Sequence, residues 1–87
     1  MVFLILTKVG MARALEAAQV TNVSVWTNAD LLGQEEVARL RASGLDLATF
    51  TRRIDPFDRE DVEGAVVTIR EHHPEQMLFV EWPDRTG

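Results

Sequence analysis

Strand-like and helix-like segments alternate along this 87-residue chain, and that alternation constrains the fold more than any other feature. Strands that are separated by helices pair in parallel, because a crossover of about a dozen residues or more returns the chain to the starting edge of the sheet. The sequence therefore predicts a single α/β domain with the element order βαβαβαβ and a four-stranded, mostly parallel sheet. We assign residues 1–83 to this domain and residues 84–87 to a flexible C-terminal tail.

Apolar, β-branched and aromatic runs mark the predicted strands. These strands cover residues 2–6, 23–27, 45–54 and 77–82. The first is apolar on both of its faces, which is typical of a central strand covered on both sides. In the third, Thr49, Thr51 and Arg53 alternate with apolar residues, so we expect this strand to be covered on one side only.

Helical periodicity and capping residues mark the three predicted helices. These helices cover residues 11–20, 34–41 and 58–73. The second has acidic residues in its first turn and Gly44 just beyond its end, a position where glycine commonly terminates helices. The third has Asp58 as its predicted N-cap and ends before Pro74.

Two sheet arrangements fit this order of elements. In the preferred one, a flavodoxin-like order 2-1-3-4, the first strand is central and the second and third helices share one face of the sheet. One face of strands three and four would then lack full cover. The alternative is a mixed sheet in which strand three or four is antiparallel at an edge.

Composition excludes several classes of function. The chain has no cysteine, which rules out disulfides, a thiolate zinc site and a cysteine nucleophile. A net charge of −5 and a pI near 4.9 argue against binding to nucleic acid or to anionic membranes. The opening apolar run ends at Lys8, too early for a signal peptide or a membrane span, and we expect a cytoplasmic protein.

Five residues form a candidate anion site at the carboxyl ends of strands one and three. In the order 2-1-3-4 the strand order reverses between these strands, and ligands of open α/β sheets bind at such a point. The five residues are Thr7, Lys8, Gly10, Arg52 and Arg53. The segment from Thr7 to Gly10 matches neither a P-loop nor a G-x-G-x-x-G motif, so a phosphate or carboxylate ligand is predicted only from charge and position.

Metal binding and catalysis have little support in the sequence. His72 and His73 are adjacent, whereas two ligands on one helix face are typically four residues apart, so we predict no metal site. Nothing in the sequence places a nucleophile beside a general base, so we predict no cofactor and assign no catalytic residue.

The half-covered sheet leads to the preferred functional hypothesis. Thr49, Thr51 and Trp82 are predicted to lie at a contact between copies of the chain, because exposed sheet faces and tryptophan favour interfaces. We therefore expect a non-catalytic module that forms a twofold homodimer or binds another protein. The alternative is a small-anion binding protein or enzyme that uses the cations at the ends of strands one and three.

Overall fold

The structure is a computed structural model, and it describes residues 1–19 and 22–81. Strands and helices alternate in the predicted order. The elements are β1 (Val2–Ile5), α1 (Lys8–Ala18), β2 (Ser24–Thr27), α2 (Gln34–Ala42), β3 (Asp46–Thr49), α3 (Arg59–His72) and β4 (Leu78–Val80). Within the described ranges, no helix combines the length and the apolar character needed to cross a membrane.

The sheet is parallel throughout, and its strands lie in the order β3-β2-β1-β4. The predicted α/β class and four-stranded parallel sheet are confirmed. The predicted order 2-1-3-4 is wrong, because β3 pairs with β2 instead of β1 and leaves that side of β1 to β4. The alternative with an antiparallel edge strand is also wrong.

Two apolar layers explain this strand order. The crossovers from β1 to β2 and from β2 to β3 run in the same direction, so α1 and α2 lie on one face of the sheet. Leu47 of β3 is buried in the cluster that contains Met11 of α1, and Leu40 of α2 packs against the same cluster. The crossover to β4 reverses direction and places α3 on the opposite face. The expected sharing of one face by the second and third helices is therefore wrong.

β1 supplies side chains to both layers. Val2 and Leu4 are fully buried against α3, while Ile5 packs into the layer beneath α1 and α2. Burial of each such aliphatic side chain contributes roughly 1.5 to 3 kcal/mol. The predicted central position of the first strand is confirmed.

The ends of three elements depend on local capping and on where the chain leaves the sheet. α1 begins three residues earlier than predicted, since the Thr7 hydroxyl accepts a hydrogen bond from the Gly10 N–H at 3.3 Å. The predicted cap of α3 is confirmed, because Asp58 accepts from the Glu60 N–H at 3.0 Å. β3 ends at Thr49, so Thr51 and Arg53 belong to the following loop and not to a strand.

A buried asparagine holds the loop after β3 across the carboxyl end of the sheet. The Asn28 amide group donates to the Ile54 carbonyl at 2.7 Å and to the Leu6 carbonyl at 3.3 Å. Its Oδ1 accepts from the N–H groups of Ile54 at 2.8 Å and Ala29 at 2.9 Å. One side chain therefore joins the ends of β1 and β2 to the segment that leads into α3.

We expect the substitution Asn28→Ala to lower the free energy of unfolding by about 3 kcal/mol, because the buried N–H and C=O of Ile54 would lose their partners. Urea unfolding of both proteins measures this loss. The exposed Asn22→Ala variant serves as control and should change stability by less than about 0.5 kcal/mol. A loss below about 1 kcal/mol for Asn28→Ala would contradict this role.

Candidate functional site

The sheet has one point at which its strand order reverses, and that point lies between β1 and β4. In open α/β sheets, ligands bind beyond the carboxyl ends of the strands at such a point, often against the N-terminus of the first helix. From the sequence, the reversal is expected between strands one and three. The observed order moves it to the crevice bounded by Leu6, Thr7 and Glu81.

A carboxylate of the chain itself occupies this crevice. Glu81 Oε1 accepts hydrogen bonds from the Leu6 N–H at 2.7 Å and the Thr7 N–H at 2.8 Å. The Thr7 hydroxyl donates to Glu81 Oε2. A Cβ added at Gly10 would collide with the Glu81 carboxyl group, so only glycine permits this close approach.

In the clamp formed by Glu81, Thr7 and Leu6, the Glu81 carboxylate is bound in the way that an anionic ligand would be. Charged acceptors make stronger hydrogen bonds than neutral ones, and a negative charge is favourable at the N-terminus of a helix. The same donors would be the first to receive a phosphate or carboxylate ligand. Such a ligand would have to displace Glu81.

Glu81 is absent from the predicted site. The sequence signal is a carboxylate that directly follows the last apolar strand. This signal identifies Glu81 as a site residue only when β4 is known to lie beside β1. In that arrangement Glu81 and Thr7 are in contact although 74 positions separate them in the sequence.

The predicted anion-binding residues fall into two groups. Thr7 and Gly10 contact Glu81, while Lys8 is exposed in the first turn of α1. Arg52 and Arg53 lie in the loop after β3 and are also exposed. No hydrogen bond or ion pair between described residues joins the two groups, and their common role in binding an anion stays a prediction.

Arg52 is engaged with the start of α3. Its Nη1 lies 3.3 Å from Asp61 Oδ1, and Asp61 Oδ2 accepts from the Asp55 N–H at 3.1 Å. The backbone hydrogen bond from Asp55, assisted by the Arg52 charge, lowers the pKa of Asp61 below its ordinary value. Asp61 therefore remains ionised at a lower pH than a free aspartate does.

An apolar groove lies beside α1, on the face of the sheet that carries the side chains of Phe3 and Phe79. The groove has a volume of about 540 Å³, and Phe3 and Phe79 form its floor with ring centroids 5.5 Å apart. Ala14 and Ala17 of α1 form its wall. The groove is open because α1 and α2 cover the strands from β1 to β3, and Phe79 on β4 remains 45% exposed.

The two edges of the sheet differ in how they are protected. At β3, the Arg41 Nε–H donates to the Leu47 carbonyl at 3.0 Å, and Asp46 places a charge on the strand. Such features block pairing with another strand. At β4, the segment from Met77 to Val80 carries no charge, and no described strand lies beyond it.

The predicted interface residues lie elsewhere. Thr49 ends β3 and Thr51 lies in the loop after it, and both are exposed at the edge opposite β4. Trp82 and the predicted tail at 84–87 lie outside the described residues. The contact predicted for Thr49, Thr51 and Trp82 stays a prediction.

The two histidines lie beside an aromatic side chain. The ring centroids of His72 and His73 are 5.2 Å and 6.2 Å from that of Trp26. His72 Nδ1 also lies 3.0 Å from the Thr68 carbonyl. Within residues 1–19 and 22–81, no group of three or more metal-ligating side chains is positioned to hold an ion.

Fold and site together define a small α/β domain whose reversal point is filled by its own glutamate and whose β4 edge is paired with no other strand of the described residues. Comparison with family models, with curated proteins and with solved structures finds no match to this chain.

We expect Glu81→Ala to lower the free energy of unfolding by about 2 kcal/mol, since the N–H groups of Leu6 and Thr7 would lose a charged acceptor. Glu81→Gln should lose less, because the amide oxygen can still accept from both N–H groups. Urea unfolding provides the measurement, and the exposed Glu75→Ala is the control. Equal stability of Glu81→Ala and Glu75→Ala would show that the clamp does not stabilise the fold.

Proposed function

We propose that this chain is a non-catalytic interaction module that binds an extended apolar segment of polypeptide along β4. We call the binding region the β4 surface and define it by Met1, Phe3, Met77 and Phe79 together with the outer backbone edge of β4. The observation that carries the proposal is the contrast between this edge, which is uncharged and unpaired within the described part of the chain, and the blocked edge at β3.

Backbone geometry favours an extended strand as the ligand. The Glu81 N–H donates to the Leu4 carbonyl at 2.9 Å, so the backbone groups of alternate residues point towards β1. The N–H and C=O groups of Leu78 and Val80 consequently point away from the sheet. An added strand would pair with these groups, as in β-strand addition.

Side chains of the β4 surface favour an apolar ligand. Met1, Met77 and Phe79 are 43%, 66% and 45% exposed, and all three lie on or beside β4. Clusters of exposed apolar side chains commonly mark protein interaction sites. The groove beside Phe79 offers the added strand a place for one further side chain.

The crevice at the reversal point is the reason for proposing a non-catalytic function. At the reversal point, the donors at the start of α1 are occupied by Glu81. The sequence offers no cysteine nucleophile. The Thr7 hydroxyl and the Glu81 carboxylate are hydrogen-bonded to each other, and both are engaged with the backbone at the start of α1. Absence of cysteine also agrees with the cytoplasmic location that we propose from the sequence.

Binding of a small anion near Lys8 and Arg53 is the second candidate function. The α1 N-terminus supplies suitable donors, and both cations are exposed. This candidate requires a ligand that outcompetes Glu81, which is held within the same chain. We therefore rank it below strand binding.

We expect a peptide with the sequence of residues 76–81, followed by two lysines for solubility, to bind the β4 surface. Titration into ¹⁵N-labelled protein should shift the amide resonances of Leu78, Phe79 and Val80, because the added strand pairs beside β4. A peptide with proline at the position of Val80 is the matched control and should cause no saturable shift, because it lacks the N–H that pairs with the outer edge of β4. Absence of shifts up to about 1 mM peptide would overturn the proposed function.

We expect inorganic phosphate to raise the melting temperature of the protein and of its Lys8→Ala and Arg53→Ala variants equally. Phosphate excluded from protein surfaces stabilises folded proteins non-specifically, so only a difference between variants indicates a site. Thermal unfolding at matched ionic strength measures this difference. A phosphate-dependent rise that either variant abolishes would support the anion-binding candidate instead.

A further inference from the structure

We infer that the partner of the β4 surface is a second copy of this chain, joined by antiparallel pairing of the two β4 strands about a twofold axis at Phe79. This inference rests on the proposed function and names its ligand.

The outward backbone groups of β4 select one register. The outer edge presents the N–H and C=O groups of two residues, Leu78 and Val80, with Phe79 between them. In an antiparallel pair, two residues that face each other across the ladder exchange both hydrogen bonds. When Leu78 of one copy faces Val80 of the other, all of these groups are paired, and the same contact is repeated by symmetry.

This register brings the two Phe79 side chains together. The N–H and C=O groups of Phe79 point towards β1. Phe79 would therefore face Phe79 of the second copy as a non-hydrogen-bonded pair, the kind in which side chains approach most closely. Phe3 already packs edge-on against Phe79. The dimer would therefore join two Phe3–Phe79 pairs into one cluster of four rings on the groove side of the sheet.

No charged side chain lies on the paired segment from Met77 to Val80. Arg13 of α1 and Glu81 are the charged residues that line the groove beside it, and Glu81 would lie beside Met77 of the second copy. Its carboxylate is bound by Leu6 and Thr7 at the start of α1 and is directed away from the outer edge. The clamp thus keeps a negative charge out of the pairing edge.

The second copy is a better ligand than an unrelated strand because β4 is short. β4 spans three residues, from Leu78 to Val80, which gives one added strand few hydrogen bonds. The backbone hydrogen bonds are the same in number for either partner, but in a twofold dimer both copies also contribute an apolar groove and a Phe3–Phe79 pair. The blocked β3 edge also limits growth to two copies, since it cannot accept a further strand.

The small area of the interface determines how tightly the two copies are expected to associate. Stable interfaces bury about 800 Å² on each partner, and smaller ones are typical of weak association. A three-residue strand with the exposed side chains of Met1, Met77 and Phe79 on or beside it lies below that area. The dimer should therefore dissociate in the micromolar range or above.

Sedimentation equilibrium across a wide concentration range tests the inference. Wild-type protein should form dimers at high concentration, and Phe79→Lys should weaken the dimer by at least about tenfold, because lysine on an edge strand prevents pairing. Val67→Lys on the exposed side of α3 and Thr49→Lys at the β3 edge are matched controls that should leave it unchanged. Circular dichroism verifies that each variant is folded.

A cysteine crosslink gives a second test that does not depend on loss of binding. The chain has no cysteine, so Phe79→Cys introduces a single thiol at the proposed axis. Non-hydrogen-bonded antiparallel pairs have Cα atoms about 4.5 Å apart, within the range for a disulfide. Phe79→Cys should form a crosslinked dimer on mild oxidation, much faster than Val67→Cys.

A strict monomer at all concentrations would overturn the inference, as would dissociation by Thr49→Lys but not by Phe79→Lys. Equal crosslinking rates at positions 67 and 79 would also overturn it. If the protein is a monomer while the peptide of residues 76–81 still shifts the β4 amides, the second copy is excluded and strand binding stands. If the peptide fails as well, the proposed function fails with it.

Discussion

Everything in this fold depends on burial of β1 from both sides. Its side chains alternate between the layer beneath α3 and the layer beneath α1 and α2, so it contributes buried side chains to both cores. Its backbone pairs with β2 on one side and β4 on the other. A polar residue in this strand would be buried whichever way it pointed, which explains why the run from Val2 to Leu6 contains only apolar residues.

That constraint also shows which parts of the fold are readable from sequence. The two-sided apolar run predicts a central strand, and alternation with helices predicts parallel pairing, because both are local patterns. Strand order is different, since it depends on which helices share a layer. Leu45 and Leu47 can pack beneath either helix layer as far as periodicity is concerned, and only the three-dimensional arrangement brings them to α2. Because the predicted strand order is wrong, the expected reversal point lies away from Glu81.

Local capping accounts for the remaining differences. Thr7 is recognisable as an N-cap, but Gly10 in the first turn of α1 weakens the helical pattern and hides the true start of the helix. The glycine is required by the approach of Glu81, a contact between residues far apart in sequence. Likewise, residues 50–54 alternate like a strand, yet Asn28 holds them as a loop over the end of the sheet. In each case a distant polar side chain overrides a local preference.

The pairing of β1 with β4 also sets the timing of folding during synthesis. β1 leaves the ribosome first, yet one of its two neighbours and the acceptor for the α1 N-terminus are made more than 70 residues later. Until then, the apolar side chains of β1 that face α3 lack their cover, and one of its backbone edges is unpaired. The nascent chain therefore cannot complete its core from the N-terminal elements alone. The sheet is complete only after β4 has been released.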